Sequence, residues 1–115
     1  MNWNLLTDVA QLDTLRAESF DQPVLIYKHS TTCSISATTL NRLERNWKTD
    51  EMGGVKAYHL DLLRHRALSR AVADYFGVQH ESPQVLLIRN GECVYDASHF
   101  AIAYPAVKAG INAEC

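Results

Sequence analysis

The chain has 115 residues, 47% hydrophobic and 21% charged, with a formal net charge of −2. This is an ordinary globular composition for one domain, residues 1–115, with enough chain to bury a core without disulfide staples and no basic footprint of the kind nucleic acid or an anionic membrane selects. Asp8, Asp13, Arg16 and Glu18 break up the first twenty residues, and no apolar run reaches the roughly 18–20 residues of a membrane span. The expectation is a cytoplasmic, reducing location in which the three cysteines are free thiols.

In chain order, Thr7 is placed to cap a first helix over residues 8–18, with Val9, Leu12 and Leu15 at helical spacing. After Asp21-Gln22-Pro23, the run Val24-Leu25-Ile26-Tyr27 suits a strand buried on both faces, as in a parallel sheet. A second helix should begin near Cys33 and run to about Asp50. Leu40, Leu43 and Trp47 lie three and four apart and share one face, and that face traced backward reaches Ser36 and then Cys33. Residues 55–60 alternate loosely and read as a strand. A third helix covers 64–76, with Leu68, Val72 and Tyr75 inward and Gly77 capping its end. Residues 85–88 and 93–95 flank Asn90-Gly91, the strongest short hairpin signal, because a type I′ turn needs φ > 0 at both central residues. Pro105 is placed to open a short last helix.

Two strand–helix–strand units should be parallel with right-handed crossovers. The expected fold is therefore α/β and three-layered, with helices on both faces of a mostly parallel four-stranded sheet. Its strands run at 24–29, 55–60 and 84–89, with 92–97 closing an antiparallel C-terminal hairpin. This is the thioredoxin order, its usual first strand missing or shrunk to Trp3-Asn4-Leu5. Rossmann-like and flavodoxin-like sheets do not expect the terminal hairpin.

Cys33 falls at the junction of the first buried strand and the second helix. Ligands of open α/β sheets bind beyond the carboxyl ends of strands, and a helix N-terminus offers unpaired N–H groups and partial positive charge that favour a thiolate. A packed structural cysteine is the competing reading. Against it, six of the eight residues from His29 to Ser36 are polar. In Cys33-Ser34-Ile35-Ser36, a serine stands where a two-cysteine oxidoreductase has its second thiol. Ser36 can donate a hydrogen bond to the thiolate but cannot close a disulfide, which implies a monothiol route.

Ser82-Pro83 directly precedes the third strand and is a candidate cis bond that would expose the Ser82 backbone beside Cys33. The alternative is a trans proline that only starts a strand. His29, four residues before Cys33, favours the thiolate if protonated or serves as a strand-end hydrogen-bonding residue. His99 is a weaker candidate for the same rim, while His59, His65 and His80 read as surface residues. No Cys-x-x-Cys or His-Glu-x-x-His pair suggests zinc. Cys93 reads as a packed strand thiol. Cys115, the last residue, reads as mobile and is a candidate to resolve an oxidised Cys33, its reach not set by the sequence.

Lys28-His29-Ser30-Thr31-Thr32-Cys33-x-Ile35-Ser36, His80-Glu81-Ser82-Pro83-Gln84, Asn90-Gly91-Glu92 and Ala97-Ser98-His99 together resemble the YtxJ-like bacillithiol-system family, the monothiol bacilliredoxins. The resemblance runs from about Asp8 to His99. It implies a thioredoxin-like fold and removal of bacillithiol from S-bacillithiolated proteins. Cys33 would be the nucleophile and Ser82-Pro83 the turn facing it; from their places around Cys33, His29, Thr32, Ser34 and Ser36 are the further candidate substrate-binding residues. No bound cofactor is implied: bacillithiol or another low-molecular-weight thiol is a co-substrate, and S-thiolated proteins are the partners. The family pattern Thr-Cys-Pro-Ile-Ser is broken here by Ser34 in the proline position. An iron–sulfur carrier and a non-catalytic binding module on the same fold are the alternatives. Against the first, the monothiol glutaredoxins carry Cys-Gly-Phe-Ser where this chain has Cys-Ser-Ile-Ser.

Overall fold

The computed structural model describes residues 2–52 and 54–112. Five strands form one sheet: β1 (Trp3–Leu5), β2 (Val24–His29), β3 (Lys56–Asp61), β4 (Gln84–Arg89) and β5 (Glu92–Ser98), in the spatial order β1-β3-β2-β4-β5. The helices are α1 (Ala10–Glu18), α2 (Ser34–Asn46), α3 (Thr49–Met52), α4 (Arg66–Phe76) and α5 (Tyr104–Asn112), with a 3-10 turn at His99–Ala101.

Val24 to Tyr27 are all fully buried, because helices cover both faces of β2. The period-2 alternation of the strand sends Val24 and Ile26 into a cluster with Leu12, Leu15, Leu68 and Val72 from α1 and α4. Leu25 and Tyr27 enter the opposite cluster with Leu43, Met52, Ile102 and Val107. Lys28 follows the first set and is fully buried, whereas His29 follows the second and is half-buried.

The sheet is mixed rather than mostly parallel. β1 and β2 run parallel to β3, but β4 runs antiparallel to β2, with Lys28 opposite Gln84. The reason lies between Phe76 and Gln84. The seven residues 77–83 span up to about 23 Å when extended, enough to return the chain to the end of the sheet where β3 finishes. The unit is therefore not a parallel crossover. The fifth strand, β1, is the shrunken Trp3–Leu5 segment; it pairs with β3 at Trp3–Ala57 and Leu5–His59.

Other boundaries shift for local reasons. α1 starts at Ala10, and Thr7 does not cap it; Asp8 Oδ1 accepts the Ala10 N–H (3.0 Å), and Gln11 Oε1 accepts those of Thr7 and Asp8. α2 stops at Asn46 because Trp47 turns extended (φ −65°, ψ 124°), and α3 forms separately. Tyr75 is exposed and donates to Asp13 (2.6 Å) instead of entering the core. Gly77 ends α4 in the left-handed region, as its position predicts. Asn90 (φ 53°) and Gly91 (φ 81°) make the hairpin turn, and its tip docks on the end of α1. There Ser19 accepts both turn amides, Asn90 N–H through its carbonyl (2.9 Å) and Gly91 N–H through Oγ (2.8 Å).

Candidate active site

Cys33 is the N-cap of α2, extended at φ −102° and ψ 117° and half-buried. The carboxyl end of β2 leads into it through a tight turn in which the Cys33 N–H donates to the Ser30 carbonyl (3.2 Å). Thr31, Thr32 and Ser34 around it are exposed. Amides in the first turn of α2 lack intrahelical acceptors and point past the sulfur's end of the helix. Cys33 Sγ makes no side-chain cap to them, which leaves those donors for a sulfur or oxyanion brought to the thiol.

Ser36 is fully buried, and its hydroxyl serves the loop: Oγ accepts the Ser30 N–H (3.0 Å) and lies 2.7 Å from His29 Nδ1. Its place is thus beneath the turn, binding strand end to helix start through His29 and the Ser30 amide. Tyr27 adds a second brace. Its buried hydroxyl donates to the Ser36 carbonyl (3.0 Å) and meets Thr39 Oγ1 (2.7 Å). Burial holds the Tyr27 phenol above its ordinary value, with the bonds to Thr39 and Ser36 opposing.

His29 is held below its ordinary value, mainly by burial and then by the neighbouring His59. Its environment thus favours the neutral imidazole, whose Nδ1 meets Ser36 Oγ, over a cation beside the thiol. His59 is not a surface residue: it is half-buried opposite Tyr27, its ring 5.3 Å from that of His29 and 5.9 Å from Trp3. Glu44 accepts the Trp3 indole N–H (2.9 Å) beside this group. His59 escaped the sequence reading because only strand register places it against Tyr27.

The Ser82–Pro83 bond is cis. Gln84 follows it opposite Lys28, so Ser82 and Pro83 stand at the same end of the sheet as Cys33. Pro83 is buried, and its carbonyl accepts the His99 N–H (3.1 Å). The His99 ring meets Glu81 at 3.4 Å. Buried Gln84 anchors the loop by donating to the Gln79 carbonyl and accepting the Glu81 N–H. His80 is exposed but held, its Nδ1 3.2 Å from Lys28 Nζ.

Cys93, on β5, is half-buried and donates to the Tyr95 carbonyl; burial, then Asp96, pushes its thiol up to about 11. Cys115 lies outside the described residues. Among the described residues no group of three or more His, Cys, Asp or Glu side chains is placed to hold a metal ion, and no helix is long and apolar enough to cross a membrane.

Comparison with solved structures agrees with this architecture. A thioredoxin-fold protein assigned as an oxidoreductase superposes with a TM-score of 0.79 at 29% identity, over 92% of this chain and 90% of the other. The thioredoxin Mala s 13 of Malassezia sympodialis (TM-score 0.72, 16% identity, 96% and 88% coverage) and Fasciola hepatica thioredoxin (0.70, 17%, 94% and 95%) share the fold. The fold is thioredoxin-like, and together with the family match it supports a thiol oxidoreductase role. Over residues 4–107 the sequence matches the family described as monothiol bacilliredoxin BrxC, and to that family this chain belongs.

Proposed function

We propose that this protein removes bacillithiol, or a closely similar small thiol, from protein mixed disulfides by a monothiol route. The Cys33 thiolate attacks the small thiol's sulfur. The S–S bond to the client protein breaks, the client leaves as a thiolate, and a new disulfide joins Cys33 to the small thiol. A second small-thiol thiolate then attacks that sulfur, releasing the symmetric small-molecule disulfide and restoring Cys33. Two electrons pass from the small-thiol pool to the client, and no second protein cysteine enters.

The observation that carries this reading is the setting of Cys33 itself. It is a half-exposed thiol at the N-terminus of a 13-residue helix, with Ser36 beneath it and the other described cysteine held away as a high-pKa strand thiol. The test is intact mass of wild type, Cys33→Ala, Cys93→Ala and Cys115→Ala after mixing with a bacillithiolated protein. Wild type and the latter two variants should gain the mass of one bacillithiol, and Cys33→Ala should gain none. Transfer by Cys33→Ala refutes the nucleophile. An internal disulfide in wild type that disappears in Cys93→Ala or Cys115→Ala refutes the monothiol route.

A further inference from the structure

On the other side of the sheet end from α2 lies a cavity of about 230 Å³ lined by Leu62, Leu63, Arg66, Ser69, Arg70 and His80. One backbone hydrogen bond and one loop tie it to the sheet end that carries Cys33. The Leu62 N–H donates to the His29 carbonyl (3.0 Å), and His80 stands three residues before Pro83 on the loop leading into β4.

The cavity collects positive charge that no ion-paired carboxylate among the described residues neutralises. Lys28 is fully buried behind it, yet its Nζ donates to the Ser69 carbonyl and to His80 Nδ1, both at 3.2 Å, and to no carboxylate. Buried charges are ordinarily paired. Neither Arg66 nor Arg70 has an acceptor among the described residues. Arg66 opens α4, whose first turn holds no acid. A cation there opposes the helix dipole, and Arg66 and Arg70 form a like-charge i,i+4 pair on one face. Each of these placements works against folding stability, and an anion in the cavity would offset all of them at once.

The hydrogen bonding fits an anion too. An ammonium only donates, so His80 Nδ1 must accept from Lys28, which leaves the proton on Nε2 as a further donor on a ring that lines the cavity. Burial, Lys28 and Arg70 hold His80 below its ordinary value, with Glu81 opposing.

We propose that this cavity takes the carboxylate-bearing end of a low-molecular-weight thiol while the thiol's sulfur is presented to Cys33. Arg66, Arg70 and the His80 Nε2–H are the donors. The inference rests on the monothiol reading above and names the substrate subsite it requires. Bacillithiol suits it chemically, since its malyl group carries two carboxylates remote from the sulfur.

The experiment titrates the Cys33→Ser chain, which cannot form the mixed disulfide, with reduced bacillithiol. It follows the arginine Nε, His80 ring and Ser69 amide signals by NMR. Malate, inorganic phosphate and cysteamine form parallel arms. Bacillithiol should shift all three sets of signals and raise the His80 pKa, and an Arg66→Gln/Arg70→Gln variant should bind it about tenfold more weakly. Malate should bind more weakly than bacillithiol, and cysteamine should leave the cavity signals unmoved. Equal affinity of bacillithiol for the double variant, or no shift at these residues, overturns the proposal. Phosphate or malate binding as tightly as bacillithiol also overturns it, since the cavity would then be a general anion site. A transfer assay separates the two readings. Arg66→Gln/Arg70→Gln should raise KM for the bacillithiol-bearing substrate about tenfold with kcat little changed. An unchanged KM removes the subsite and leaves the monothiol reading. Wild type that binds bacillithiol in the cavity but transfers none keeps the subsite and removes that reading.

Discussion

Cys33 caps a helix at the rim of the sheet, and Cys93 packs into a strand with its thiol raised to about 11. At pH 8 only about a thousandth of Cys93 is thiolate, the species that reacts. In the folded protein iodoacetamide should therefore label Cys33 at least tenfold faster than Cys93, and the two rates should converge in denaturant; peptide mapping reads both. Ser36→Ala should lower stability by about 1–3 kcal/mol in urea unfolding, because it leaves the buried Ser30 N–H without its acceptor. Ser34 stands in the proline position of the family pattern Thr-Cys-Pro-Ile-Ser that the sequence resembles, and the backbone is ready for one. Cys33 already has the extended conformation that a following proline imposes, and an N–H at the first helical position has no intrahelical acceptor to lose. Ser34→Pro should raise stability by about 0.4–1 kcal/mol, seen as a higher denaturation midpoint at unchanged slope.

At the scale of elements, β2 was the most legible segment, since Val24 to Tyr27 can be buried only between two helical layers. The positions after it were harder. Alternation assigns Lys28 to the core-facing set, but a charged side chain there contradicts the usual pattern, and the compensating bonds to Ser69 and His80 come from distant elements. The consequence is measurable. Burial pulls Lys28 from 10.5 down to about 8, so the unfolded chain binds the proton more tightly. The associated stability is fully present above pH 10.5 and is lost as pH falls to about 8. Relative to a Lys28→Met variant, the wild type should thus gain about 3 kcal/mol between pH 7.5 and 10.5. Urea titrations of both proteins across that range check it, and parallel pH profiles would contradict it.

For the whole molecule, the layered α/β architecture and the hairpin were readable because each depends on local signals: an apolar run, a glycine cap, Asn90-Gly91. The direction of β4 was not, since it depends on how far residues 77–83 climb and not on any residue type among them. The site divides the same way. Cys33, Ser36 and Ser82-Pro83 announce themselves by motif. His59 and the arginine-lined cavity arise from register and from the return of that loop, and neither leaves a mark in a short window of sequence.

The docking of the hairpin tip onto Ser19 joins two parts of the chain far apart in sequence. At Gly91 a Cβ would lie 2.9 Å from Phe20 Cζ and 3.2 Å from Arg16 Nε, side chains that can swing aside, so the cost of a substitution lies in its φ of 81°. The turn amides cannot reach solvent while Ser19 holds them, so their deuterium uptake is gated by separation of the tip from α1, not by local fluctuation of the turn. Asn90 and Gly91 should exchange with the protection of the α1 amides rather than at the rate of an open hairpin. Gly91→Ala should speed exchange at both ends of this latch together and lower global stability by about 1–2 kcal/mol.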